Sequence, residues 1–349
     1  MIQTKTYSLS ATTQLPGVPF STLRTLSLRE AEEHELDVLI DVPGTLKINT
    51  IYGAYEFGES AGETIATVHS DEMNSLFILK DALVQNLEHF APKAAEQVKW
   101  SDGDGEGSYP PNFQFTTVEA MERISDRFLR LRLLASDLSA YTDEAIHFRF
   151  VLPDPGSTDI EWPTVRANGS IQWPEGDKSL YRPVYTARRV NMDTQTLEVD
   201  IFLHDGGRVT DWAKNLAINE QVAIIGPGGG GIPKAETIHL FADETAYPAA
   251  ARILEALPSE TKGTLTLLTD PGGKNDYAFD TPSTVSISWI ERDQAETFDA
   301  RARDVIADLD DAFFWYAGER ISVSAIRAVA TEAGVSKQNR YIAVYWSTD

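Results

Sequence analysis

Residues Glu236–Pro258 read ETIHLFADETAYPAAARILEALP. A strand-like run from Thr237 to Phe241 meets an acidic turn at Asp243, Glu244 and Thr245, and a helix follows with Pro248 near its start. Apolar Ala250, Ile253, Leu254 and Leu257 recur at i, i+3, i+4 and i+7, one face of a helix, and Pro258 stops it. A strand that runs into a helix N-terminus gathers unpaired backbone N–H groups, a setting that suits a phosphate. The segment also reads as a plain structural βα unit. The same rhythm continues to the end of the chain. Strands TIHLFAD, GTLTLLTD, TVSISWIE, AFFWYAG and RYIAVYW alternate with helices near 248–257, 294–309 and 319–333, and Gly334 is a suitable stop for the last. The alternation predicts a parallel sheet with crossover helices over 236–349, and such sheets take ligands beyond the carboxyl ends of their strands.

Upstream the texture is different. From Phe113 to about Ile232 come six short, alternating runs separated by turn residues: FQFTTVEAMERI, FLRLRLLAS, IHFRFVLP, PVYTARRV, LEVDIFLH and QVAIIG. They predict a small antiparallel β-barrel over 112–235. Gly226, Gly228 and Gly231 satisfy G-x-G-x-x-G literally, but no helix opens on them, so they read as a flexible connector rather than a dinucleotide fingerprint. Ser101–Pro111, SDGDGEGSYPP, reads as a linker. Residues 1–100 read as a small α+β domain, with strands at Thr45–Thr50, Ala54–Phe57 and Thr64–His69. Its helix from about Glu72 to Phe90 should bury Leu76, Leu79, Leu83, Leu87 and Phe90. His34, His69 and His89 are scattered and read as structural or solvated. The expected fold is therefore a multidomain chain: a small α+β domain, an antiparallel β-barrel, then a parallel-sheet α/β domain.

Composition sets outer limits. Of 349 residues 42% are hydrophobic, enough for real cores. There is no Cys, which excludes disulfides, thiolate-held iron–sulfur clusters and Cys-based zinc sites. The formal charge of −23 repels nucleic acid and requires a local basic patch for any anionic ligand. No signal-peptide pattern and no run of membrane-spanning length is present, so a soluble, cytoplasmic protein is expected.

Three further segments carry chemistry. In Arg182-Pro183-Val184-Tyr185-Thr186 the Arg can grip a pyrophosphate, the Tyr offers a flat face to a planar group, and the Thr hydroxyl can bond a ring nitrogen. The run also reads as an ordinary strand with an exposed Arg. In His204–Ala213, HDGGRVTDWA, the glycines allow close backbone approach to a phosphate and Thr210 can donate to one. A turn into a helix with Trp212 in the core explains it equally, and His204 fits either. Trp315-Tyr316-Ala317-Gly318-Glu319 brings a strand into a helix at a small-residue turn, with Glu319 where a carboxylate suits the helix dipole. Capping alone would account for that residue.

Together these segments resemble the siderophore-interacting proteins, a branch of the ferredoxin–NADP reductase-like flavoproteins, over roughly residues 113–346. RPVYT resembles the family's R-x-Y-[ST] flavin motif, and DIFLH with TDWA resembles D-F-V-x-H … S-x-W-A. ADETAYPAAARILEALP resembles G-D-E-T-A-L-P-A-I-x-R-x-L-E-x-L-P, WYAGE resembles W-V-A-G-E, and Tyr345-Trp346 resembles the aromatic pair of G-Y-W-R. The N-terminal part more loosely resembles a small α+β domain found with some of these proteins. The resemblance implies FAD in the barrel and NAD(P)H on the α/β domain, with ferredoxin as an alternative donor. Arg182, Tyr185, Thr186, His204 and Thr210 would line the FAD. Asp243, Glu244, Thr245, Ala317, Gly318 and Glu319 would border the nicotinamide nucleotide, with Tyr345 and Trp346 also at the cofactors. No protein acid, base or metal is implied, because the flavin carries electrons from the nicotinamide to Fe(III) in a ferric siderophore.

This chain departs from the family pattern at several points. Ala242 stands for the Gly of G-D-E-T. Arg208, Val209 and Asp211 stand for Pro, Ala and Arg, and Ser347 stands for the terminal Arg. In the resembling proteins basic residues would hold acidic iron chelates; with that Arg gone, Arg188, Arg189 and Arg292 are candidate substitutes, and as single basic residues they equally read as solvated surface. The chain also ends at Asp349 with no further helix. The expected activity is FAD-dependent NAD(P)H:ferric-siderophore reduction. The alternatives are a siderophore- or flavin-binding protein without turnover, and a general flavin reductase.

Overall fold

A computed structural model describes residues 5–34, 36–60, 62–103, 105–274, 276–281 and 284–348; Asp104 of the expected linker and the extreme ends of the first and last expected domains lie outside them. The chain divides into two compact units, one of residues 1–113 with 153–180 and one of 114–152 with 181–349.

The first unit opens with β1 (Leu9–Leu15), α1 (Phe20–His34), β2 (Val38–Val42), β3 (Thr45–Thr50), β4 (Gly53–Ser60), β5 (Glu63–Ser70), α2 (Met73–Phe90) and α3 (Pro92–Gln97). The strands form an antiparallel sheet in the order β1-β5-β4-β3-β2. Alternation buries Ala66 and Val68 of β5, and they share a core with Leu76, Leu79, Leu83 and Leu87 of α2. Phe90, expected in that core, is instead 36% exposed, since it is the last residue of α2, which ends at Ala91. β1, α1 and β2 go beyond the expected elements. β1 buries Ala11, Thr13 and Leu15 in alternation, β2 buries none of its residues, and α1 buries only Leu23 and Ala31.

The segment expected as a linker makes hydrogen bonds at several of its described residues. Asp102 takes two bonds from the buried Lys80, at 2.9 and 3.1 Å. Gly107 N–H donates to Val165 O (2.9 Å), and Val165 N–H donates to Ser108 O (2.8 Å).

The second unit takes up β6 (Phe113–Arg123) from Gln114 and continues with β7 (Phe128–Leu134) and β8 (His147–Val151). The chain then contributes a two-strand hairpin, β9 (Thr164–Val165) and β10 (Ile171–Gln172), to the first unit. It resumes with β11 (Val184–Thr186), β12 (Arg189–Asn191), β13 (Thr196–Phe202), α4 (Arg208–Asn215) and β14 (Gln221–Gly228). The seven-stranded sheet runs β11-β8-β14-β6-β7-β13-β12. PVYTARRV, expected as one strand, is thus two, and they occupy opposite ends of the sheet. Only Ala187 and Arg188 separate them, so the sheet must curl until its edges meet, which makes it a barrel. Ala187 N–H bonds Ile146 O and Arg188 N–H bonds Glu198 O, so the crossing residues change partners between one edge and the other.

The α/β part holds β15 (Thr237–Ala242), α5 (Tyr247–Ala256), β16 (Lys262–Thr269), β17 (Thr284–Glu291), α6 (Ala295–Ala307), β18 (Phe313–Glu319), α7 (Arg320–Glu332) and β19 (Arg340–Trp346). All described strand pairs are parallel, in the order β17-β16-β15-β18-β19. Alternate residues face opposite layers. Leu240 and Trp315 join the core that holds Ile253 and Leu254 of α5, whereas Phe241, Phe314 and Tyr316 join the core that holds α6 and α7 residues. The order reverses between β15 and β18, and that switch point is where an open α/β sheet presents its ligand crevice. The glycine connector is tightly packed rather than flexible. A Cβ on Gly231 would lie 2.3 Å from Asp143 O, and one on Gly230 would lie 2.4 Å from the Tyr341 ring.

Candidate functional site

The two expected nicotinamide-side segments meet at the switch point. Ala242 lies opposite Ala317 in the β15–β18 register. Asp243 is buried, and its Oδ1 accepts from Thr245 N (3.0 Å) and Thr245 Oγ1 (2.5 Å) while its Oδ2 accepts from Trp346 Nε1 (2.6 Å). Burial raises its pKa, and those donors oppose the shift. The same Oδ2 explains Gly318, where a Cβ would sit 2.7 Å from it. The small-residue turn therefore exists to let β18 pass the Asp243 carboxylate. Ala242 is fully buried in the core beneath α5, so its extra methyl fills protein rather than the crevice.

Glu244 is turned inward as well. Its Oε1 accepts from Asp270 N–H (2.7 Å), and its Oε2 is ion-paired to Arg292. Arg292 Nε also bonds Asp270 Oδ1 (2.8 Å), and Arg127 reaches the other oxygen of that carboxylate (3.1 Å). Burial pushes the Glu244 carboxyl up to about 7 against the pull of Arg292. Glu319 caps α7, taking bonds from the N–H groups of Ile321 (2.6 Å) and Ser322 (3.3 Å).

On the barrel, β11 sets Tyr185 opposite Phe148 and Thr186 opposite His147. Tyr185 packs on Phe150 (5.2 Å between centroids), as does Trp212 (5.1 Å). Arg182 sits beside a second guanidinium: Arg149 Nη1 donates to Arg182 O (3.0 Å), and burial together with the Arg149 charge lowers the Arg182 pKa. Arg208, the first residue of α4, stacks on Tyr181 at 4.3 Å. It lies one helical turn before Asp211, so the cation moved along the helix remains beside the residue that precedes Arg182. Thr210 is buried, and its Oγ1 accepts from His204 N–H (3.2 Å); the His204 ring stacks on Phe202.

His147 joins the two parts, and no sequence motif pointed to it. It is buried at the start of β8, with Nδ1 3.4 Å from Thr186 Oγ1 and Nε2 3.1 Å from Tyr345 Oη. Burial and the charge of Arg252 push its pKa down to about 4, so the ring is neutral near pH 7. A neutral imidazole has one donor and one acceptor nitrogen, enough to tie the flavin-motif strand to the C-terminal strand. The only sequence signal was a His on the Thr186-paired strand, which becomes visible once the register is known.

Arg188, Arg189 and Arg292 were expected to meet an acidic chelate, and all three are engaged with carboxylates. Arg188 is 2% exposed; it grips Glu255 with both terminal nitrogens (2.7 and 2.5 Å) and donates from Nε to Tyr277 Oη (3.1 Å). Arg189 bonds the same Glu255 (3.0 Å). Asp200 of DIFLH is buried too, held by Arg130 (2.6 and 2.8 Å) and by the Tyr277 hydroxyl. Arg130, Arg188 and Asp200 come from the barrel, and Tyr277 and Glu255 from the α/β part, so this network fastens one to the other.

The donor set suits a dinucleotide flavin. Two adjacent guanidinium groups, Arg149 and Arg182, with Arg208 nearby, match a pyrophosphate, and Tyr185 and Thr186 supply an aromatic ring and a hydroxyl on the same strand. Residues 117–231 match the siderophore-interacting FAD-binding domain, and residues 235–349 match the siderophore-interacting protein family. The chain belongs to the siderophore-interacting protein family. Similar family proteins include the NADPH-dependent ferric-chelate reductase of Escherichia coli K12, 29% identical over 244 residues, which cover 67% of this chain and 92% of that protein. The ferric vibriobactin reductase ViuB of Vibrio cholerae is 29% identical over 238 residues, covering 64% of this chain and 85% of that one. Among solved structures, a siderophore utilization protein from T. fusca superposes with a TM-score of 0.58 at 27% identity, covering 69% of this chain and 95% of that one. Both family matches begin beyond the N-terminal sheet. Among the described residues no helix is long and apolar enough to cross a membrane, and no cluster of three or more His, Asp or Glu is set to hold a metal.

Proposed function

We propose that this chain is an FAD-dependent reductase that passes electrons from NAD(P)H to a ferric siderophore and releases Fe(II). The observation that carries the proposal is the link between the two cofactor-motif regions. Thr186 and Tyr345 meet through His147, and the Arg188–Glu255 and Arg130–Asp200–Tyr277 contacts clamp barrel to α/β part. A hydride acceptor and donor must be held in one fixed geometry, and that network supplies the rigidity. Bound FAD would supply the conversion of a two-electron hydride into single electrons for Fe(III).

In this reading residues 112–235 hold FAD. Arg182 and Arg149 would take the pyrophosphate, Tyr185 would offer an aromatic face and Thr186 a hydroxyl to the flavin, and His204 with Thr210 shapes the turn into α4. Residues 236–349 receive the nicotinamide nucleotide at the end of β15 and β18, where Thr245 and the backbone of Ala317 and Gly318 line the crevice. Asp243, Glu244, Glu319 and Trp346 act there by holding the crevice in shape. Reduction frees the iron because hard oxygen ligands hold Fe(II) less tightly than Fe(III). We place the reaction in the cytoplasm, where NAD(P)H is supplied.

The test is the visible spectrum of purified protein loaded with FAD. Anaerobic NAD(P)H should bleach the flavin, and an Fe(II) trap should then colour on addition of a ferric siderophore. Protein that will not take up FAD, or flavin that NAD(P)H leaves oxidised, would refute the assignment.

A further inference from the structure

The second unit contains a cavity of about 760 Å³ whose wall includes Arg188 and Arg189, two and three residues beyond Thr186. Its volume falls in the range of small-molecule sites. Arg132 and Arg252 add two more guanidinium groups. Four carboxylates face them: Glu119, Asp143, Glu198 and Glu255. The pairs are formed within the wall itself. Arg188 and Arg189 share Glu255, Arg132 bonds Glu198 (3.1 Å), and Arg252 bonds Asp143 (3.2 Å). By formal charge the cavity is neutral, in a protein of net charge −23.

Resting on the reductase reading above, we propose that this cavity receives the iron chelate and that the chelate is neutral or cationic, of the tris-hydroxamate class. Three singly charged hydroxamates cancel the charge of Fe(III), and an amine on the ligand makes the complex a cation. Three doubly charged catecholates leave a trianion. A trianion entering this cavity would have to compete for guanidinium groups already bonded to carboxylates, and it would approach through the field of an acidic protein. A neutral complex meets neither cost, and a cationic one is drawn in. Arg292, outside this cavity, is likewise already paired, with Glu244 and Asp270.

The FAD-loaded protein is assayed with NAD(P)H and an Fe(II) trap, using a cationic ferric tris-hydroxamate and a ferric tris-catecholate at low and high ionic strength. At low salt kcat/KM for the hydroxamate should exceed that for the catecholate by about tenfold or more, and salt should lower the first and raise the second. Preference for the catecholate, falling with salt, would overturn the proposal while leaving the reductase reading intact. Flavin bleaching is recorded separately, and a flavin that NAD(P)H cannot reduce would sink both. Location is tested with E119K, at an exposed cavity position, against E332K at the exposed end of α7, which changes net charge equally. E119K should raise catecholate kcat/KM by about threefold relative to E332K at low salt. Identical behaviour of the two variants would overturn the docking place.

Discussion

Replacing Arg188 by Met tests whether the buried network, rather than an anionic ligand, is what this arginine serves. Breaking a buried pair from one side costs about 3–5 kcal/mol when the remaining charge is left alone. Here the survivors keep other partners. Glu255 retains Arg189 at 3.0 Å, and Tyr277 retains Asp200, which is held in turn by both arms of Arg130. What is lost is a pair of charge-assisted bonds to Glu255 and one bond to a tyrosine hydroxyl, so about 2–3 kcal/mol is expected. Arg189, 51% exposed at its side chain, should cost less than about 1 kcal/mol on the same change. Glu255→Gln should exceed both, because it strands the buried Arg188 with Asp200 at 3.7 Å as its nearest carboxylate. The changes are read as urea midpoints and, locally, as hydrogen exchange in peptides covering 184–202 and 247–256. Burial opposes ionisation of Glu255, but the bonds from Arg188 and Arg189 win and lower its pKa. The unfolded chain therefore binds the extra proton, and stability from this group is present above the ordinary carboxylate pKa and is lost as pH falls through the lowered one. Arg188→Met should flatten that acid limb. A cost below about 0.5 kcal/mol for both Arg188→Met and Glu255→Gln would refute the reasoning.

Arg182→Ala should lower FAD content and weaken FAD binding by about tenfold or more, measured by recovery of free-flavin fluorescence, because it removes one of two adjacent guanidinium groups. His147→Phe should cost about 1–3 kcal/mol in urea unfolding by leaving the part-buried Tyr345 hydroxyl without its hydrogen-bond partner, and adding Tyr345→Phe should restore part of that loss. Glu244 has its pKa raised to about 7, so its protonated folded state is favoured and its contribution to stability is lost as pH rises from the ordinary carboxylate range through about 7. Arg292→Gln should carry that loss to higher pH, and urea midpoints from acid to mildly alkaline pH check it.

The α/β third was legible because its periods are local. The strand, acidic turn and helix of 236–258 are each written in neighbouring residues, and the observed elements match them within a few positions. Strand order was not legible: nothing in a strand's own sequence says that β15 lies between β16 and β18. PVYTARRV shows the same limit. Its alternation is continuous, and only the partners Phe148 and Leu197, on the strands next to opposite ends of the sheet, divide it in two. Arg188 and Arg189 look alike in sequence, yet one is 2% exposed and the other mostly solvated. The difference is made by Glu255 and Tyr277, far along the chain, and by the direction in which the strand crosses from one sheet edge to the other.

The acidic turn at the switch point poses an electrostatic problem that the packing resolves. Asp243, Glu244 and Glu319 stand at the edge where a phosphate-bearing ligand is expected, and three free carboxylates there would repel it. Each is spent inside the protein. Asp243 accepts from Thr245 and Trp346, Glu244 from Arg292 and the Asp270 backbone, and Glu319 from two N–H groups of α7. The acids thus fix where β15, β18 and β19 end and where α7 begins, and their charge is met by donors from within. An acidic motif at the edge proposed to receive an anionic nucleotide is then no contradiction. It is the means by which the backbone around Gly318 and Thr245 is held open, and Gly318 is small because the Asp243 oxygen occupies the space its side chain would need.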